Sequence, residues 1–201
     1  MAKASWVKVD PSQGSGPGTV NVSSTAEHTG REPRTSTITW KAVNADSVER
    51  TVIQSGKSQY VSIKDKISVG QDGGTVTISG ESNAKKLTFR LAVGGDLNIT
   101  LPSSYIAKSI TTANGAEIAG DPGASSKYEF SITVEVPKNE GLLPLARQVI
   151  VSDGAGHEAA CTVSVAAGDA FLIIGNTKID LDFTGAPVAV EVRSNTNWTV
   201  E

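Results

Sequence analysis

The sequence holds one cysteine, Cys161, so no disulfide can close within the chain and a cysteine-based zinc site cannot be assembled. Set in an alternating Val/Thr segment, that thiol reads as a small apolar strand residue rather than a reactive group. Aromatic side chains make up 5% of the 201 residues, which leaves few rings for a sugar to stack on. Basic and acidic residues nearly balance, 18 against 21, for a net charge of −3, and no block of like charge stands out. This argues against nucleic acid or an anionic membrane surface as a partner. No run of about 18 apolar residues is present to span a bilayer. Met1-Ala-Lys-Ala-Ser-Trp6 lacks the apolar stretch of a secretion leader, so the expectation is a chain that stays in the cytosol where it is made.

What the sequence has is alternation. Phe130-Ser-Ile132-Thr-Val134-Glu-Val136 places four apolar side chains on one face of a strand, and Thr75-Val76-Thr77-Ile78-Ser79 and Thr19-Val20-Asn21-Val22-Ser23 repeat the pattern. Leu87-Thr-Phe89-Arg-Leu91 and Leu97-Asn-Ile99-Thr-Leu101 read as two further strands. No segment repeats apolar residues at the helical period. Short strands separated by Gly/Pro turns predict an all-β fold of immunoglobulin-like β-sandwiches. The longest irregular stretch, residues 113–127, carries Asn114-Gly115 and Gly120-Asp121-Pro122-Gly123 and is the candidate binding loop. Tyr105 and Tyr128 flank it as candidate exposed platforms, while Trp6, Trp40 and Trp198 fall where such a sandwich wants core residues.

Two half-patterns recur. Residues 74–87, containing Ser82-Asn83, are echoed by residues 185–198, containing Ser194-Asn195. An arginine, a strand, a turn and a closing Thr-Val strand run from Arg34 to Gly56, and again from Arg147 to Gly168, spacings of 22 and 21. The chain therefore divides into a second half-sandwich (1–57), a complete sandwich (58–169) and a first half-sandwich (170–201). The two end pieces are expected to pair, in cis or in a neighbouring subunit, with closure within one chain the slightly favoured route. Each link is about three residues long, so closure in cis requires the two units to lie side by side.

The end segments resemble the BACON domain, an immunoglobulin-like sandwich associated with Bacteroidetes. The resemblance rests on Ser194-Asn-Thr-Asn-Trp198-Thr-Val, Ser5-Trp6-Val-Lys-Val-Asp-Pro11-Ser-Gln-Gly14, Arg34-Thr-Ser-Thr-Ile-Thr-Trp40 and Val52-Ile-Gln54-Ser-Gly56. It is weaker in the middle unit, which keeps Ser82-Asn83 but has Leu87 near the place of the family tryptophan. Such domains occur on secreted glycan-degrading enzymes and in virion proteins of crAss-like phages of Bacteroides. The resemblance implies a virion protein made in the bacterial host cytoplasm, an auxiliary protein that decorates or clamps the capsid. Its partners would be the major capsid protein and other virion proteins, with self-association by strand exchange. The competing readings are a carbohydrate-binding module, with a glycan as ligand, and a head or tail fibre subunit.

Residues suited to catalysis are sparse. His28 and His157 lie in Gly/polar loops and read as solvated turn residues. Asp153-Gly-Ala-Gly-His157-Glu158 sets a histidine beside carboxylates without the further ligands a metal site needs. Asp180 and Asp182 fall on one side of a strand and read as its wet face. The expectation is a non-enzyme with no cofactor and no metal, whose contact residues are Asn114, Gly115, Asp121, Pro122, Gly123, Tyr105 and Tyr128.

Overall fold

The computed structural model describes residues 3–175 and 177–201; Met1, Ala2 and Asn176, which belong to the expected end units, lie outside the described residues. The fold is all-β. Four strands precede the middle of the chain: β1 (Val7–Asp10), β2 (Asn21–Ser24), β3 (Arg34–Trp40) and β4 (Val48–Gln54). The central unit follows, with β5 (Val61–Ile63), β6 (Lys66–Val69), β7 (Gly74–Ser82), β8 (Thr88–Leu91), β9 (Ser104–Ala107), β10 (Ile110–Ala113), a single helical turn α1 (Pro122–Ser125), β11 (Tyr128–Val136), β12 (Leu145–Ser152) and β13 (Glu158–Val165). The C-terminal segment supplies β14 (Leu172–Ile174) and β15 (Val192–Ser194).

The central unit is a sandwich of a five-stranded sheet, ordered β10-β9-β11-β7-β5, and a four-stranded sheet, ordered β6-β13-β12-β8. Strand alternation builds its core. β11 buries Tyr128, Phe130, Ile132, Val134 and Val136 while the residues between them face out, and β12 and β13 answer from the other sheet with Val149, Val151, Cys161 and Val163, all fully buried. Cys161 is thus the apolar strand residue its context predicts, and burial pushes its thiol pKa up.

Two local expectations are corrected, and one hairpin is added. Residues 97–101 form no strand, although Leu97 and Ile99 are buried in the core, because their backbone touches the neighbouring strand only at Leu97 N, which donates to Ala146 O, and builds no ladder beyond it. A hairpin, β9–β10, occupies residues 104–113, where no strand is predicted; its tight turn uses Lys108 and Ser109 at positive φ, where glycine or asparagine is the usual signal. The segment 113–127 is not a free loop: it holds α1, and Ile118 within it is 2% exposed.

The ends behave differently. β1 pairs with β2, β3 with β4 and β14 with β15, each as a separate two-stranded sheet, and among the described residues no strand of the first 57 pairs with one of the last 32. Their attachment points explain why. The β7–β11 ladder runs from Ser82 opposite Tyr128 to Gly74 opposite Val136. The N-terminal segment attaches beyond the first end, through Asn83 and Asp121, and the C-terminal segment beyond the other, through Glu140 and Asp169. A nine-residue ladder separates these poles by roughly 25–30 Å.

Candidate functional site

The two attachment points are the same device used twice. At the first, the fully buried Asn83 shares its amide N–H groups among the carbonyls of Thr29 (3.3 Å), Lys57 (3.1 Å) and Ser58 (3.3 Å), and its Oδ1 accepts from Tyr60 N (3.0 Å). Ser82 Oγ donates to Tyr60 O (2.7 Å) and accepts from Ala84 N (2.9 Å). At the second, Asn195 Nδ2 donates to Glu140 O (2.7 Å) and Asp169 O (2.9 Å), and Oδ1 accepts from Phe171 N (3.0 Å). Ser194 Oγ donates to Phe171 O (2.9 Å) and accepts from Thr196 N (3.0 Å). A buried amide that satisfies backbone carbonyls on both sides of a domain link fixes how one unit follows the next.

The surrounding backbone repeats too. Lys57 N donates to Gly30 O and Gly168 N to Gly141 O, each atom 111 residues after its counterpart. His28 Nε2 donates to Glu32 O at 2.7 Å, and Asn139 Nδ2 to Leu143 O at 2.8 Å, again 111 residues on. His28 is therefore a 9%-exposed structural hydrogen-bond donor, not the solvated turn residue expected, because its loop is clamped against the next unit.

Strand register extends the match. Val61, Ser62 and Ile63 face Ser82, Glu81 and Gly80, and Leu172, Ile173 and Ile174 face Ser194, Arg193 and Val192. Arg34 to Trp40 face Gln54 to Val48 as Leu145 to Val151 face Val165 to Ala159, every partner displaced by 111. Arg34 consequently corresponds to Leu145, and the sequence pairing of Arg34 with Arg147 is two residues out: hydrogen-bond register, not the shared arginine, sets the correspondence. Gly73 and Gly185, both at φ 70°, close equivalent turns, accepting positive φ where a Cβ would strain the backbone.

The units differ in what covers them. Val76 and Ile78 are 6% and 0% exposed in the central sandwich; Val188, the counterpart of Val76, is 45% exposed. Leu87 and Phe89, which follow Asn83, are buried, whereas Trp198 and Val200, which follow Asn195, are 50% and 84% exposed. Trp198 is not the core residue expected, since half of its surface stays exposed. Trp6 and Trp40 are half-buried, and the Arg34 guanidinium lies 4.6 Å from the Trp6 ring.

The expected contact residues are used internally. Tyr105 and Tyr128 are 2% and 3% exposed, correcting their reading as platforms. The Tyr105 hydroxyl accepts from Leu87 N and the Tyr128 hydroxyl donates to Ala84 O, and burial raises both phenol pKa values. Each ring is drawn inward because the strand that carries it alternates toward the core. Asn114 is exposed in outline, but its side chain pairs with both N–H and C=O of Phe89, extending the edge of β8. Gly115 N donates to Leu87 O. Asp121 forms an ion pair with Arg31, which also donates to Asn83 O; that pairing raises the arginine pKa against the opposing effect of burial. Pro122 and Gly123 are buried at the first junction, where Arg31 N and Glu32 N donate to the carbonyls of Gly123 and Ala124. A Cβ on Gly123 would sit 2.2 Å from Asn83 O, so this contact requires glycine. Residues 121–124 thus hold two units together, while residues 113–117, 119 and 120 remain exposed.

His157 does have a partner. Its Nδ1 lies 2.6 Å from Oδ2 of Asp153, a residue 2% exposed, whose Oδ1 also accepts from Ala155 N and His157 N. Burial pushes the Asp153 carboxyl up, but these hydrogen bonds outweigh it and the net shift is downward. Among the described residues no three His, Cys, Asp or Glu side chains gather as metal ligands. The pair instead shapes the β12–β13 turn. With a folded pKa below the unfolded value of about 3.9, the stabilisation is complete above about pH 4 and is lost as pH falls through the folded value. Asp153→Asn is expected to cost about 1–3 kcal/mol at neutral pH and to flatten the acid limb of a melting-temperature profile. An unchanged limb would show that the carboxylate does not shape it.

No family model matches the chain, and no curated protein matches it. Solved structures with partial likeness include a protein from Bacteroides thetaiotaomicron determined by NMR (TM-score 0.28, 11% identity, covering 54% of this chain and 88% of that one). Zebrafish RET cadherin-like domains 1 to 4 align with TM-score 0.34 and 12% identity over 70% of this chain and 35% of that one. The endo-fucoidan hydrolase MfFcnA9 from glycoside hydrolase family 107 aligns with TM-score 0.30 and 11% identity over 82% of this chain and 26% of that one. The chain thus spans about a third of the cadherin-like protein and a quarter of the hydrolase, and what is established here is the all-β sandwich fold.

Proposed function

We propose that this is a non-enzymatic structural protein, an auxiliary component that decorates or clamps a bacteriophage capsid. The observation that carries the reading is the repeated junction. Asn83 and Asn195 tie the two end segments to opposite poles of the central sandwich, a defined end-to-end relation that a spacer or clamp requires and an isolated binding module does not. The resemblance of both end segments to BACON domains of crAss-like phages supplies the setting.

The test is to add purified chain to undecorated shells of the major capsid protein and image them. The expected result is ordered extra density at a fixed lattice position. Absence of such density, together with measurable binding to host polysaccharide, would favour the carbohydrate-binding alternative instead.

A further inference from the structure

We propose that a second copy of this chain covers the open face of the C-terminal unit, its β1–β4 segment and the first copy's residues 170–201 together forming one sandwich of the central kind. The argument uses the central unit as an internal template. There, β6 has a single partner: it runs parallel to β13, with Thr162, Val163, Ser164 and Val165 opposite Lys66, Ile67, Ser68 and Val69. Residues 178–181, Lys-Ile-Asp-Leu, stand 112 positions after β6, and Ile179 and Leu181 are 48% and 64% exposed. They form no strand because the strand that would pair with them is not beside them. β4 is the register counterpart of β13, pairs with β3 alone, and leaves its other edge open. An unpaired edge with a matching unpaired segment is the condition for strand addition.

The same correspondence places the rest. β7 lies against β11 with Val76 opposite Val134 and Ile78 opposite Ile132. Val188 and Val190 hold the first positions, and β2, whose Val22 is 43% exposed, precedes His28 as β11 precedes its counterpart Asn139. β8 edges β12 with Phe89 opposite Val151; Trp40 is the counterpart of Val151, and residues 198–200 follow Asn195 as β8 follows Asn83. The C-terminal segment therefore carries the counterparts of β5 to β8, and the N-terminal segment those of β11 to β13.

The occupant is a second copy because the two segments of one chain sit at opposite poles of the central sandwich. Closure within one molecule would require them to lie side by side. A partner reached this way presents its own free C-terminal face, so the contact is head-to-tail and repeats from copy to copy. The assembly needs neither a shell nor any other protein, so it stands independently of the capsid reading.

In the central unit Ser68 Oγ and Ser164 Oγ lie 2.9 Å apart across the β6–β13 pair. Their counterparts are Asp180 and Ile53, both exposed and open to substitution. The experiment is mild oxidation of the chain carrying Ile53→Cys and Asp180→Cys, beside Ser68→Cys with Ser164→Cys as the within-chain control. Cys161 is fully buried and does not compete. Expected are a ladder of disulfide-linked dimers and higher multimers for the first pair and an intrachain bond, with no ladder, for the second. A first pair that remains monomeric, or closes within one chain, while the control pair bonds would overturn the proposal. Light scattering of the unsubstituted chain gives an independent reading: mass should rise stepwise with concentration, and a single-copy mass throughout would also overturn it.

Discussion

Replacing Asn83 with alanine is expected to destabilise the chain by on the order of 2–4 kcal/mol, because three carbonyls and the Tyr60 N–H lose a fully buried partner at once. Arg31 would keep its ion pair with Asp121, but the carbonyls of Lys57 and Ser58 would be left unpaired in the link itself. The N-terminal unit should then hinge on the central one, seen as new proteolytic cleavage around residues 56–59 below the main melting transition. Asn195→Ala removes the same device where it is partly exposed to water, and should cost only about 0.5–1.5 kcal/mol. Equal losses at both positions would mean that the surroundings, not the hydrogen bonds, set the effect.

The second large effect concerns the core. Ile78→Ala removes a side chain with no exposed surface from the middle of β7 and should cost about 2–5 kcal/mol, the transfer term plus the cavity left behind. Val190→Ala alters the counterpart position, which is half-exposed in the single chain, and should cost less than about 1 kcal/mol in dilute solution. At concentrations where copies associate, the Val190→Ala effect should grow, because that side chain then enters a closed core. Chemical denaturation of both variants at two protein concentrations separates these cases. A Val190→Ala cost independent of concentration would argue that its face stays open.

The strands were legible wherever one face is buried, since alternation is then enforced by packing: β7, β11 and β13 follow the apolar pattern closely. The β9–β10 hairpin was not, because Lys108 and Ser109 adopt its turn without a glycine signal. Tyr105 and Tyr128 were misplaced for a related reason. Their position beside a Gly/Pro-rich segment suggested exposure, whereas each lies on the inward phase of a strand. The Ser-Asn repeat was visible in the sequence, but its role was not, since Asn83 acts on the carbonyls of residues 25, 26 and 54 positions away. The half-pattern from Arg34 was found two residues out of register because a shared arginine is a weaker marker than a ladder of paired residues.

Amide hydrogen exchange followed as a function of protein concentration tests most directly whether the end segments are halves of one sandwich. Residues 66–69 and 76–78 belong to a closed unit and should be protected at every concentration. Their counterparts, residues 178–181 and 188–190, should exchange freely in dilute solution and become protected together, along with the open edge of β4, as concentration rises. Free exchange of residues 178–181 and 188–190 at all concentrations, with mass unchanged, would contradict the account.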